Sequence, residues 1–96
     1  MIFAEEKHLS IVRIILKKYV PNAAIKVFGS RVNGNPKLYS DLDLAIDAKE
    51  QISLLTLAKI EHDFEESSLP FRVDVMDWQS ISSEIKENIL ENFELL

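Results

Sequence analysis

Asp41 and Asp43 stand two positions apart and follow a Gly29-Ser30 pair after ten intervening residues. The residues around each pair, Val27-Phe-Gly-Ser-Arg31 and Ser40-Asp-Leu-Asp-Leu-Ala-Ile46, read as a strand entering a turn and a second strand leaving a loop. Side chains alternate along a strand, so Asp41 and Asp43 share one face while Leu42, Leu44 and Ile46 share the other. Two carboxylates side by side repel unless a positive charge lies between them. A hard divalent cation such as Mg²⁺, bound through carboxylates and substrate phosphates, suits that position. Glycine lets backbone approach a ligand closely, and serine adds a hydroxyl and exposed amides for phosphate oxygens. The stretch reads as a metal–nucleotide site.

The rest of the chain must hold that site in place. Its 96 residues suffice for one domain, 1–96, with one core and little room for a second substrate-binding module. A hydrophobic content of 47% with 28% charged residues is ordinary for a folded protein in water. No apolar run has the length of a membrane span, and the first residues lack a signal-peptide pattern. The absence of cysteine excludes disulfides and thiolate metal sites and agrees with a cytoplasmic location. The charge is unevenly spread, +5 over residues 1–40 and −10 over 41–96. An acidic chain is a poor general binder of nucleic acid, since phosphate contacts depend on Lys and Arg. Most acids in the second half read as solvated helix faces; Asp41, Asp43 and Asp74 are the exceptions.

Residues 5–20 have helical periodicity. Leu9, Ile11, Val12, Ile15, Leu16, Tyr19 and Val20 form a wide apolar arc, Lys17 and Lys18 fall in the last turn, and Pro21 ends the helix. That arc could pack on the chain's own sheet or partly cover a partner. His8 and His62 have no second ligand at metal spacing, so both are expected to be structural or on the surface. Ala24–Phe28 form a first strand, Arg31–Ser40 a loop rich in turn residues, and 42–47 a second strand. Residues 50–66 read as a helix with Leu57, Ile60 and Phe64 facing the core and Leu54, Leu55 and Ala58 widening that face. The segment Phe71-Arg-Val-Asp-Val-Met76 is a third strand. Asp77 can cap a last helix at about 80–92, Trp78 reads as a core or staple residue, and Phe93–Leu96 can add a short edge strand. The order α-β-β-α-β-α describes an α/β (α+β) protein, a small mixed sheet covered by helices.

Val73 and Val75 face one way, and Arg72, Asp74 and Met76 the other. An acid in mid-strand needs a partner. If the third strand lies beside the second, Asp74 joins Asp41 and Asp43; otherwise it is an edge-strand acid opposite Arg or Lys.

Phe28-Gly-Ser-Arg-Val-Asn-Gly34, Ser40-Asp-Leu-Asp-Leu44 and Val73-Asp-Val75 together resemble a minimal nucleotidyltransferase domain of the DNA polymerase β-like superfamily. The resemblance covers essentially the whole chain. It implies a nucleoside triphosphate substrate such as ATP, a two-metal Mg²⁺ site, and transfer of a nucleoside monophosphate to an acceptor hydroxyl. By the same resemblance Asp41, Asp43 and Asp74 hold the metals, with Asp74 helping to activate the acceptor, and Gly29 and Ser30 cradle the triphosphate. Arg31 matches a Gly-Ser-Arg found in many members and would be either a phosphate contact or part of a structural salt bridge. Paired metals about 3.5–4 Å apart would neutralise the attacking and leaving oxygens. No Ser-His-Asp, Cys-His, zinc or Walker spacing competes.

Larger members carry further domains for primer, tRNA or antibiotic, so the acceptor site is expected from another subunit. Minimal members often pair with an all-helical HEPN protein, and some are antitoxins that adenylylate a HEPN toxin. A homo-oligomer also stays open. Two other readings follow from the same residues. One is a non-catalytic subunit that binds nucleotide or neutralises a partner by contact. The other is nucleotidylation of a small molecule of the aminoglycoside type, which needs a pocket so short a chain can hardly build.

Overall fold

The computed structural model describes residues 1–96, and its core is built on the alternation of the second strand. The elements are α1 (Glu6–Tyr19), β1 (Ala24–Phe28), α2 (Ser30–Asn33), β2 (Leu42–Asp47), α3 (Leu54–Glu65), β3 (Val73–Asp77), a 3₁₀ turn at Trp78–Ser80, α4 (Ser83–Glu91) and β4 (Glu94–Leu95). The four strands form one mixed sheet in the order β3-β2-β1-β4. β1 and β2 are antiparallel, with Phe28 opposite Asp43, whereas β2 and β3 are parallel, with Asp43 opposite Asp74. The helix between β2 and β3 makes that parallel pairing possible, because parallel neighbours need a long crossover.

Leu42, Leu44 and Ile46 of β2 and Val27 of β1 are fully buried on one face of the sheet. They belong to one cluster with Leu9, Val12 and Leu16 of α1 and with Ile60 and Phe64 of α3. Ile15, Tyr19 and Val20 pack against the same cluster. Most of the apolar arc of α1 therefore serves the chain's own core, and the exposed apolar residue of this helix is Ile14. Burying so many apolar side chains is the main favourable term in the fold, at roughly 1.5–3 kcal/mol for each fully buried Val, Leu, Ile or Phe.

Five local expectations need correction. α3 starts at Leu54 rather than near residue 50, because the Ile52 amide donates to Asp77 Oδ2 at 2.9 Å and Ser53 caps the helix through Thr56 N at 3.1 Å. Leu54, Leu55 and Ala58 are then exposed instead of widening the core face. Asp77 caps the 3₁₀ turn through Gln79 N, and the cap of α4 is Ser82, which accepts from Ile85 N. Trp78 lies outside the core cluster, with Lys26 Nζ 4.4 Å from its ring centre. A fourth helix, α2, occupies the start of what reads as loop; Gly29 opens it and Gly34, in the left-handed region, closes it.

Candidate active site

Gly29 lies where β1 turns into α2, and its surroundings admit no side chain. Its φ of +80° disfavours any residue with a Cβ. A Cβ there would come within 2.2 Å of Asp43 Oδ2. The glycine thus allows the turn to lie directly against the carboxylate of the neighbouring strand. The Gly29 carbonyl accepts from Val32 N and Asn33 N, both at 3.0 Å, and this folds Ser30 into the first position of α2. The Ser30 hydroxyl is partly accessible and makes no hydrogen bond within the chain.

Asp43 is half-buried at the centre of the sheet, on the face opposite Leu42 and Leu44. Its register neighbour on β3 is Asp74, and Asp41 lies two residues before it at the mouth of β2. Burial, then the charge of Asp74, then that of Asp41 push the Asp43 carboxyl up to about 6, while Arg72 pulls it back slightly. Arg72 Nη2 lies 3.8 Å from Asp74 Oδ1, with both side chains well exposed, a contact weak in water. Asp74 is thus both an edge-strand acid beside an arginine and a member of an acidic cluster. The arginine compensates only part of that cluster's negative charge.

The three carboxylates are electrostatic neighbours, yet no three acidic or imidazole side chains stand at metal-ligating spacing. The donor set itself suits a hard divalent cation, being all carboxylate oxygen with no sulfur or imidazole. The Asp43 carboxyl is raised first by its burial and then by the uncompensated charges of Asp74 and Asp41.

Arg31 bonds to backbone carbonyls and to none of these three carboxylates. It is only 6% exposed and forms no salt bridge; its guanidinium donates to the carbonyls of Phe3, Leu38 and Ser40 at 2.7, 3.1 and 2.9 Å. The guanidinium carbon lies 4.3 Å from the centre of the Phe71 ring. Neither sequence alternative, phosphate contact or ion pair, describes this arrangement. Nothing in the sequence around Phe3 or Phe71 signals it, because it depends on tertiary contacts between distant segments. His8 packs edge-on against the same Phe71 ring at 5.7 Å, the structural role expected of it. No helix is long and apolar enough to cross a membrane.

The family described as Polymerase beta, Nucleotidyltransferase matches residues 11–96. A Haemophilus influenzae protein named "probable protein adenylyltransferase MntA" is 44% identical over 85 residues, covering 88% of this chain and 75% of that protein. Protein adenylyltransferase MntA of Thermococcus cleftensis is 39% identical over 66 residues, covering 69% of this chain and 66% of the relative. A crystal structure provisionally identified as a nucleotidyltransferase superposes with a TM-score of 0.57 at 23% identity, covering 93% of this chain and 97% of that one, and it supports the fold. The turn, the paired aspartates and these likenesses agree: the chain is an enzyme of the polymerase beta nucleotidyltransferase family, of the minimal nucleotidyltransferase type.

Proposed function

We propose that this chain transfers AMP from ATP to a hydroxyl on a partner protein in a metal-dependent reaction, and that it acts as the antitoxin of a helical, HEPN-type toxin. The observation that carries the chemistry is the parallel register that seats Asp74 beside Asp43, next to a glycine turn that touches the same carboxylate. Protein as acceptor is supported by the names of the relatives, which are protein adenylyltransferases.

In this reading the backbone amides of the Gly29–Ser30 turn and the Ser30 hydroxyl hold the triphosphate oxygens. Asp41, Asp43 and Asp74 would hold Mg²⁺, which supplies charge neutralisation to the attacking and leaving oxygens. The acceptor hydroxyl oxygen forms a bond to the α-phosphorus, the bond to the β-phosphate oxygen breaks, and pyrophosphate leaves. Asp74, on the accessible edge strand, takes the hydroxyl proton. Positioning and neutralised charge are most of what such a transfer requires.

The test is transfer of label from α-³²P-ATP with Mg²⁺ to the protein encoded beside this chain. Label on that protein, lost in Asp43→Asn, supports the proposal. A tight complex with no transfer from any nucleotide would replace it with neutralisation by contact.

A further inference from the structure

The site depends on three separate segments: the Gly29–Ser30 turn, the loop ending in Asp41, and the strand carrying Asp74. Arg31 touches all three or their immediate flanks. Its backbone directly follows Ser30. Its Nε and Nη2 hold the carbonyls of Ser40 and Leu38, on either side of Tyr39, immediately before Asp41. Its guanidinium lies on Phe71, which leads through Arg72 into β3, and the Arg72 carbonyl accepts from Leu42 N at 2.9 Å. The remaining nitrogen, Nη1, donates to the Phe3 carbonyl, and the Phe3 amide returns a 2.7 Å bond to the Arg31 carbonyl. Residues before α1 are thereby tied to the turn.

Around Asp41 the loop has little else to hold it. Lys37 N donates to Ser40 Oγ at 2.8 Å and Ser40 N to the Lys37 carbonyl at 3.1 Å, closing a small turn. Leu38 and Tyr39 are 75% and 71% exposed, so no side-chain packing fixes this stretch. A buried guanidinium with three carbonyl acceptors is a fork of fixed geometry that an ammonium cannot reproduce.

We infer that Arg31 is a positioning residue for the transfer reaction: it fixes the loop that aims Asp41, and through Phe71 the entry to β3, rather than binding the triphosphate. The inference rests on the proposed metal–nucleotide site, yet its structural half is measurable without metal or nucleotide.

The experiment compares wild type with Arg31→Lys. Amide hydrogen exchange is read first, on the apo protein. Exchange at the bonded loop amides of Lys37 and Ser40 should accelerate roughly 10-fold in the variant while the amides of β1 and α1 keep their protection. In the transfer assay the Mg²⁺ concentration for half-maximal rate should rise about 10-fold, as for outer-shell changes at metal sites. The KM for ATP at saturating Mg²⁺ should stay within about twofold. Unchanged loop exchange, or an ATP KM that rises while the Mg²⁺ requirement does not, overturns the inference.

Should the variant fail to fold, the wild-type Arg31 Nε–H resonance decides. It should be slow to exchange in the apo protein and should scarcely shift when ATP and Mg²⁺ are added, while the Ser30 amide shifts. A large shift at Nε overturns the inference. A wild type inactive with every nucleotide refutes the proposed function, whereas the apo exchange pattern still judges Arg31.

Discussion

Each end of β3 brings an aspartate to the sheet, and the chain treats the two in opposite ways. Asp77, beside Ile46, is only 4% exposed, and its carboxylate accepts from Ile52 N, Gln79 N and Ser80 Oγ at 2.9, 3.1 and 2.9 Å. Asp74, beside Asp43, is more open, and the pair has no hydrogen-bond donor between them, only the distant Arg72 guanidinium. Asp77 is a joint that ties the start of α3 to the end of the sheet. Asp43 has no protein donor and Asp74 only its weak pair with Arg72, while burial and then the charges of Asp74 and Asp41 raise the Asp43 carboxyl. The presence of donors, more than depth of burial, separates a structural carboxylate from one available to a ligand.

Neutralising each acid in turn should therefore have opposite effects. Asp43→Asn is expected to lower transfer by about 10³-fold or more, as loss of a group acting on developing charge does. It should also stabilise the metal-free protein by about 1 kcal/mol after solvent screening, a rise of roughly 4–8 °C in Tm. Thermal melts beside the transfer assay check both. A variant that loses activity and stability together would break the contrast.

Asp77→Ala should do the reverse. It leaves buried donors without an acceptor and should cost about 2–4 kcal/mol, read by urea denaturation. The KM for ATP of the fraction that folds should be near wild type.

The contrast also has a pH signature. The Asp43 carboxyl titrates near 6 in the fold, against an ordinary value of 3.8. Between these pH values the folded state holds a proton that the unfolded chain has released. Its contribution to stability therefore falls as pH rises from about 4 to 6 and is flat on either side. Denaturation followed against pH should show that slope in wild type and lose it in Asp43→Asn. Added Mg²⁺ should stabilise the wild type increasingly across the same interval, because the cation competes with the proton.

Arg72→Ala should have the smallest effect. The exposed pair with Asp74 is worth less than about 0.5 kcal/mol, and the Asp43 titration should move slightly upward by NMR.

The sequence was informative wherever one local rule decided the outcome. Strand alternation places Leu42, Leu44 and Ile46 in the core and Asp43 on the other face, as observed, and Pro21 ends α1 as expected. The two-residue β4 lies within Phe93–Leu96 and pairs with β1. Failures occurred where a distant group competes for a local one. Residues 50–53 have helical periodicity, yet Asp77, far along the chain, takes the Ile52 amide and delays the helix. Asp77 precedes a helical pattern and reads as its cap, but a 3₁₀ turn intervenes and Ser82 takes that role. Arg31 lies inside the motif and reads as a phosphate contact or part of a salt bridge, while its acceptors are carbonyls at Phe3, Leu38 and Ser40 that no spacing announces. The sharp approach of Gly29 to Asp43 was likewise invisible, since it depends on the antiparallel register of β1 and β2.

The most direct measurement is anomalous diffraction from crystals grown with Mn²⁺ and a non-hydrolysable ATP analogue. Anomalous density bounded by Asp41, Asp43 and Asp74, with the triphosphate on the Gly29–Ser30 turn, is the expected result. Nucleotide bound while the three carboxylates hold no metal, or metal held elsewhere, would contradict the assignment of this cluster as the catalytic site.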